Sequence, residues 1–343
     1  MKKKIAVLFG GQSTEHEVSR ASATSVLKNI DQTKYDIYPI GITKDGLWFQ
    51  YTGKLDNIES GEWEKDQFFK VPQGQKFLFN KEVDVVFPLL HGLFGEDGTI
   101  QGMCKLLNIP CVGPGVMSSA ICMDKIYTKY LLENFNIKQA DYVVINTHEY
   151  AENKDILVET IEKKLGYCVF IKPANGGSSV GITKAHNREE LILGLEEALK
   201  YDRKVLVEQA INAREIEVAV LGNDYPEASM PGEVTPAKEF YDYEAKYKSE
   251  ASKLLIPAAL SEAKLQTIRE EAVKIYTILD CAGMARVDFL VDKETEEVYL
   301  NEVNTIPGFT KISMYPKMWQ ATGKTYGKLI DELIELAIER NNK

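Results

Sequence analysis

The sequence predicts a mixed α/β protein in which a doubly wound parallel sheet is followed by two α+β subdomains. Strand, helix and strand patterns alternate over the first 90 residues, which is typical of a parallel sheet. Beyond about residue 120, short apolar strands alternate with charged helical stretches. A hairpin pattern follows at 285–304, where two alternating segments flank a short charged turn.

The N-terminal part, 1–120, is predicted to form the doubly wound sheet. Apolar runs at 5–9, 37–42 and 83–90 predict three buried strands. A helix is predicted at about 13–27, because its start offers N-cap residues and first-turn acids.

Two short loops follow the first and third predicted strands, at Gly10-Gly11 and at His91-Gly92. The carboxyl ends of parallel strands share one edge of a sheet, so both loops are expected to face one crevice. Open α/β sheets bind their ligands in such a crevice.

The rest of the chain divides into a central subdomain, 121–210, and a C-terminal subdomain, 211–343. Predicted strands lie at 142–145, 168–172, 205–208, 216–221, 285–291 and 297–304. Predicted helices lie at about 188–200, 260–279 and 325–340.

Charge and cysteine content exclude several classes of protein. The net charge is −10, from 41 basic and 51 acidic residues, so binding to nucleic acid or to an anionic membrane is not expected. The five cysteines form no C-x-x-C pair, which argues against a zinc site or a disulfide framework. Only five apolar residues follow the basic start, so no signal sequence is expected. A cytoplasmic location is expected instead.

The hairpin carries the strongest candidate for a metal site. Period-2 alternation places Arg286 and Asp288 on one face of the first strand, and Leu300, Glu302 and Asn304 on one face of the second. Glu302 and Asn304 are expected roughly 7 Å apart, given the rise of a strand. Two carboxylates and an amide oxygen suit Mg²⁺. On spacing alone, solvated residues on the outer face of a hairpin remain an alternative.

A glycine-rich loop, Lys172–Gly181, follows a predicted strand. Its glycine N–H groups and serine hydroxyls could hold a phosphate, and Lys172 could supply a charge. The loop has neither the Walker A spacing nor G-x-G-x-x-G. An ordinary surface turn is the alternative for this loop.

Taken together, these motifs resemble the ATP-grasp carboxylate–amine ligases, and within them the D-alanine–D-alanine ligases. The resemblance covers nearly the whole chain. The segments that carry it are Phe9–Ser19, His91–Gly102, Met123–Lys125, Lys172–Gly181, Phe240–Tyr247, Ala285–Asp288 and Asn301–Gly308. It implies an ATP-grasp fold over the two α+β subdomains, ATP-dependent ligation of two D-alanine molecules and a homodimer.

The resemblance also implies how ATP and metal are bound. It implies two ions, Mg²⁺ or Mn²⁺, held by Asp288, Glu302 and Asn304, with Glu302 bridging. It places Lys125, Lys172 and Lys246 at the phosphates of ATP, and Ser179 also among the ATP-binding residues. It places Glu208 near the adenine and Glu215 near the ribose.

The same resemblance assigns the amino-acid sites. The residues that it places there are Glu15 at the first ammonium group, His91 near the substrates, and Ser178, Ser179 and Tyr247 around the second amino acid. Arg286 and the Gly308 N–H are implied to stabilise the tetrahedral intermediate. The general base stays open between His91 and the Ser178–Tyr247 pair.

Each of these residues also has a structural alternative. Glu15 could be a first-turn helix acid, His91 a satisfied polar group at a strand end, and Tyr247 a packing residue. His16, His148 and His186 are taken as surface residues. Two segments are expected to act as lids, 176–181 and about 236–250.

Substrate specificity is expected to depend on Ser313 and Met314. Met314 would leave a small apolar pocket, which favours D-alanine as the second substrate. The main alternative is a D-alanine–D-serine or D-lactate ligase of the glycopeptide-resistance type. A nucleotide-binding module without turnover is less favoured, because it predicts loss of the metal ligands or of Arg286, and all are retained.

Overall fold

The computed structural model describes residues 2–65, 83–235 and 253–342. Its strands are β1 Lys3–Gly10, β2 Tyr35–Ile42, β3 Trp48–Gln50, β4 Val85–Pro88, β5 Tyr142–Asn146, β6 Val169–Pro173, β7 Thr183–Ala185, β8 Lys204–Gln209, β9 Ala213–Gly222, β10 Glu227–Ala228, β11 Gly232–Thr235, β12 Lys253–Leu255, β13 Gly283–Asp292 and β14 Val298–Asn304. Its α-helices are α1 His16–Asn29, α2 Leu55–Ser60, α3 Thr99–Leu107, α4 Val116–Met123, α5 Lys125–Glu133, α6 Thr147–Leu165, α7 Arg188–Ala198, α8 Glu262–Ile278, α9 Met314–Ala321 and α10 Tyr326–Asn341.

The first sheet has the order β3-β2-β1-β4, with β1 parallel to both of its neighbours. This confirms the predicted doubly wound sheet. The sequence did not predict β3, a short strand that pairs antiparallel with β2 at the edge.

Helices cover both faces of this sheet. Successive β1 side chains point to opposite faces, so β1 contributes to the core on each side. On one face Ile5, Val7 and Phe9 share a core with α1 and with α10, the last helix. On the other face Ala6 and Leu8 pack with α3. The side chains that α10 buries are Leu329, Ile330, Leu333, Ile334 and Ala337, as its apolar stripe predicts. Arg340, in its last turn, donates hydrogen bonds to Gly113 O (2.5 Å) and Cys111 O (2.9 Å).

The remaining strands form two antiparallel sheets. One has the order β5-β8-β6-β7, and helices α6 and α7 pack against it. The other follows the order β12-β11-β9-β13-β14, with β10 also paired to β9, and α8 covers one face. The predicted hairpin is therefore β13–β14. Two α+β layers after a parallel sheet confirm the predicted fold class.

A β-bulge in this hairpin corrects one detail of the predicted alternation. The register pairs Asp288 with Glu302 but Phe289 with Leu300, so β14 holds one extra residue, Asn301. A bulge reverses which side chains face each side of the sheet. The prediction that Leu300 shares a face with Glu302 and Asn304 is therefore wrong, because Leu300 packs in the α8 core.

Candidate active site

A cavity of about 850 Å³ lies where the three sheets meet. The elements that line it include the loops after β1 and β4, the glycine-rich loop, strands β9, β13 and β14, and the start of α9. The sequence-predicted site residues that line it are Glu15, His91, Lys125, Lys172, Ser178, Ser179, Glu215, Arg286, Asp288, Glu302, Asn304, Gly308, Ser313 and Met314. The proposed lid at 236–250, with Lys246 and Tyr247, lies entirely outside the described residues.

Asp288 is the centre of a charged group on the cavity face of the hairpin. Arg286 donates to both of its carboxylate oxygens, through Nε (2.7 Å) and through a terminal nitrogen (2.6 Å). Asn304 Nδ2 donates to Asp288 Oδ2 at 2.9 Å. Arg286 Nε also lies 3.1 Å from Glu217 Oε2 on β9. Burial opposes the charge of Arg286, but the Asp288 and Glu217 carboxylates raise its pKa well above the usual value.

The oxygen atoms of Asp288, Glu302 and Asn304 fit a hard divalent cation that takes its remaining ligands from a phosphate. Glu302 lies opposite Asp288 in the ladder, and Asn304 contacts Asp288, so two carboxylates and one amide converge. Among the described residues, no group of three or more His, Cys, Asp or Glu side chains could enclose a metal alone. Magnesium is commonly held in this way, by one or two carboxylates plus substrate phosphate oxygens.

Two lysines hold the buried carboxylate of Glu208 between β8 and α5. Lys129 Nζ lies 2.7 Å from Oε1 and Lys172 Nζ lies 2.6 Å from Oε2. Burial alone would raise the pKa of Glu208, but the charges of Lys172 and Lys129 lower it to about 2. Lys129 also lies 4.9 Å from the centre of the Tyr142 ring. Glu208 is therefore a fully paired anion behind Lys172, and it is not among the residues that line the cavity.

This pairing predicts acid sensitivity. A carboxyl with a depressed folded-state pKa stabilises the fold above its unfolded pKa and loses that contribution as pH falls toward the folded value. A shift from 4.5 to about 2 corresponds to roughly 3 kcal/mol. Chemical unfolding from pH 7 to pH 2 should show the stability gap between wild type and Glu208→Gln shrinking below about pH 5. A gap independent of pH would contradict the ion-pair assignment.

The glycine-rich loop reaches across the cavity to Glu15. Ser178 Oγ donates to Glu15 Oε1 at 2.6 Å, and both side chains are buried. Glu15 occupies the N-cap position of α1, yet its side chain makes no capping hydrogen bond. This carboxylate also lines the cavity, where Ser178 is its hydrogen-bond donor.

Close approach explains one glycine of this loop. A Cβ on Gly177 would lie 2.4 Å from Glu15 Oε2, so a side chain would displace the carboxylate. Ser178 and Ser179 follow with φ of 50° and 61°, a conformation that is uncommon for residues other than glycine. Lys125 Nζ donates to Gly176 O at 2.8 Å. The loop is thereby held in a shape that turns its backbone toward the cavity.

His91 lies at the carboxyl end of β4 with 3% of its surface exposed. Its Nδ1 lies 2.9 Å from Ile306 O and 3.7 Å from Glu96 Oε1. Burial opposes protonation of His91, but the nearby Glu96 carboxylate raises its pKa. His16, taken from the sequence as a surface residue, is instead buried beside Gly11, which is a correction. Its imidazole contacts the turn after β1, and the residues around His16 in the sequence do not predict this contact.

The loop after β14 leads into the specificity residues. Ser313 Oγ accepts a hydrogen bond from Thr310 N at 3.0 Å, and a Cβ on Gly308 would lie 2.8 Å from the same oxygen. Met314 is buried at the start of α9, with its methyl group against Gly232. This end of the cavity is therefore tightly packed and has an apolar side chain in its wall.

Sequence reasoning missed several residues of this site. Glu217 lines the cavity with Glu215, and their spacing of two along β9 could have indicated it. Lys129 is four residues from Lys125, so one helix face carries both. Asn301, which accepts from Lys172 Nζ at 3.3 Å, reaches the cavity because of the bulge and had no sequence signal.

Comparison with known proteins adds an independent finding. A family model described as "D-ala D-ala ligase N-terminus" matches residues 4–114, and one described as "D-ala D-ala ligase C-terminus" matches residues 131–335. The chain belongs to the D-alanine–D-alanine ligase family. The resemblance inferred from the motifs is thereby confirmed, and this ligase is an enzyme.

Individual relatives agree with this assignment. The D-alanine–D-alanine ligase of Clostridium novyi (strain NT) is 76% identical over 343 residues, which are 100% of both chains. The crystal structure of the VanG D-Ala:D-Ser ligase from Enterococcus faecalis has a TM-score of 0.87 and 40% identity, covering 98% of this ligase and 100% of that chain. The D-alanine–D-alanine ligase of Coxiella burnetii has a TM-score of 0.81 and 35% identity, covering 99% and 96%.

Proposed function

We propose that this ligase joins two D-alanine molecules to D-alanyl-D-alanine at the expense of ATP, for the synthesis of peptidoglycan precursors. ADP and phosphate are released, and D-alanyl phosphate is the intermediate. The observation that carries the proposal is the arrangement of one cavity. It combines a buried carboxylate, Glu15, with the oxygen ligands and the arginine of the β13–β14 hairpin.

The first D-alanine binds through its ammonium group to Glu15. The carboxylate is buried and accepts one hydrogen bond from Ser178, so its remaining acceptor positions can take charge-assisted hydrogen bonds from an ammonium group. In the first step, a carboxylate oxygen of this D-alanine attacks the γ-phosphorus of ATP, and the bond to the β,γ-bridging oxygen breaks to release ADP. The acyl phosphate supplies the leaving group that a free carboxylate lacks.

Lys125 and Lys172 bind the phosphates of ATP, and Lys246 has the same expected role. Lys125 and Lys172 both line the cavity, and Lys125 contacts the glycine-rich loop at Gly176 O. Ser179 belongs to this phosphate-binding set, Glu215 contacts the ribose, and Glu208 lies near the adenine. The support for Glu208 is its ion pair with Lys172, a residue that lines the cavity.

Asp288, Glu302 and Asn304 would hold two divalent ions, Mg²⁺ or Mn²⁺. The ions supply charge neutralisation of the transferring phosphoryl group. Arg286 is already hydrogen-bonded to Asp288, so one side chain links the metal ligands to the reacting carbonyl.

In the second step, the amine of the second D-alanine attacks the acyl carbon and phosphate leaves. Negative charge develops on the carbonyl oxygen, and Arg286 and the Gly308 N–H stabilise it. Ser178, Ser179 and Tyr247 surround the second amino acid, and Ser313 and Met314 limit its side chain. The buried Met314 offers no hydrogen bond to a hydroxyl, which supports D-alanine over D-serine as the second substrate.

Phosphate release with ATP, Mg²⁺ and D-alanine tests this proposal. Release that depends on D-alanine, with formation of the dipeptide, is the expected result, and L-alanine provides the negative control. No D-alanine-dependent phosphate would overturn the proposal. Faster turnover when D-serine or D-lactate is added would favour the D-alanine–D-serine or D-lactate alternative.

We also propose a cytoplasmic location, a homodimer and domain boundaries near residues 120 and 210. All five cysteines are unpaired thiols, which supports a reducing compartment. Among the described residues, no helix is long and apolar enough to cross a membrane. The boundary near 210 is supported by the change of sheet between β8 and β9.

A further inference from the structure

A buried hydrogen-bond chain joins the N-terminal domain to the loop that carries Gly308. Ser22, on α1, is fully buried, and its Oγ lies 2.9 Å from His91 Nε2. The same oxygen accepts a hydrogen bond from Phe309 N at 3.1 Å. The other ring nitrogen, His91 Nδ1, lies 2.9 Å from Ile306 O. The loop is therefore held at two backbone positions, on either side of Gly308.

The proton assignments along this chain are consistent. Ile306 O can only accept, so His91 Nδ1 carries a proton and donates it. Ser22 Oγ accepts from Phe309 N and still has a proton and a second lone pair. It donates to a neutral His91 Nε2 or accepts from a protonated one, so the contact persists in both charge states of the ring.

We propose that Ser22 is a positioning residue for the oxyanion site, and that it acts through His91 and Phe309. The pair fixes the backbone between Ile306 and Phe309, so the Gly308 N–H is already aimed when charge develops on the carbonyl oxygen. Preorganised donors of this kind stabilise a transition state because they need not reorient during the reaction. The inference rests on the proposed role of Gly308.

This assignment also changes the role of His91. Both of its ring nitrogens are engaged, by Ser22 and by a backbone carbonyl, and the ring is almost fully buried. A general base must have a nitrogen within reach of the substrate proton. His91 therefore positions the loop, and proton transfer from the second amine falls to another group.

Ser22→Ala tests the proposal, with Ser19→Ala as a matched control. Ser19 lies one turn away on the same helix, is equally buried and also bridges two backbone groups, Gly10 N and Leu89 O. Both variants lose one buried hydroxyl, but only Ser22 contacts the loop. Ser22→Ala is expected to lower kcat about tenfold with KM for ATP unchanged, because small displacements of a catalytic donor are costly. Ser19→Ala should retain kcat at a temperature where both variants are folded.

Amide hydrogen exchange gives a readout that does not depend on activity. A peptide covering residues 304–314 should exchange faster in Ser22→Ala than in wild type or Ser19→Ala. Ser22→Cys keeps a weak donor and acceptor, so it should show intermediate kcat and exchange, and it serves if the alanine variant does not fold. Equal kcat and equal exchange in the Ser22 and Ser19 variants would overturn the inference. Normal kcat in Arg286→Met would instead refute the oxyanion assignment, while exchange would still measure the effect of Ser22 on the loop.

Discussion

Replacing Arg286 with methionine is expected to lower kcat by about 10²- to 10³-fold, the usual effect of losing one oxyanion donor. The variant removes the donor and leaves Asp288 and Glu217 without the cation between them. Arg286→Lys should recover only part of the activity, because an ammonium group cannot replace the two-pronged contact with Asp288. Steady-state ADP release at saturating D-alanine measures the effect.

Arg214→Met is a matched control for this experiment. Arg214 also forms a two-pronged pair, with Glu233 at 2.8 and 2.5 Å, and it lies on β9 of the same sheet. It does not line the cavity. A loss of stability without a large loss of kcat is expected. If Arg286→Met turned over at a rate within threefold of wild type, the oxyanion role would be rejected.

Glu302→Gln is expected to lower turnover by more than an order of magnitude. The change removes one of two carboxylates from the proposed metal site and keeps the side chain nearly the same size. Because metal charge stabilises the transferring phosphoryl group, weaker metal binding slows the first step. The metal concentration for half-maximal rate should rise, and a titration with Mg²⁺ or Mn²⁺ measures it.

Glu297→Gln provides the comparison for this variant. Glu297 lies just before β14 and pairs with Lys138 at 2.6 Å on the surface. An exposed ion pair contributes little, so its loss should change neither turnover nor metal dependence. Near-normal turnover of Glu302→Gln at low metal concentration would refute the assignment of Asp288, Glu302 and Asn304.

The parts of the fold that follow from local patterns were predictable. Apolar runs and their flanking caps located β1, α8 and the β13–β14 hairpin, since burial dictates side-chain periodicity. Strand alternation predicted that the Asp288 and Glu302 side chains lie near each other in the hairpin, and the ladder pairs the two residues. The family resemblance identified the chemistry, which spacing alone left open.

The structural details that the sequence did not predict depend on contacts between residues far apart in the chain. Nothing near Asn301 signals a bulge, because the ladder between β13 and β14 determines where the extra residue fits. Ser22 contacts Phe309 across 287 residues of chain, and in the sequence its hydroxyl looks like those of the other serines in α1. Lys129 is different, because its spacing of four residues from Lys125 already indicates that both lysines lie on one face of α5.

The helix that covers the first sheet has a consequence for biosynthesis. Translation produces β1 early, yet α10 buries part of the face that displays Ile5, Val7 and Phe9, and it follows both other sheets in the chain. On the ribosome, this apolar face stays incompletely covered until α10 emerges. Exposed apolar surface of this kind promotes aggregation and chaperone binding. A nascent chain halted before residue 326 should therefore depend on chaperones more than the full-length ligase.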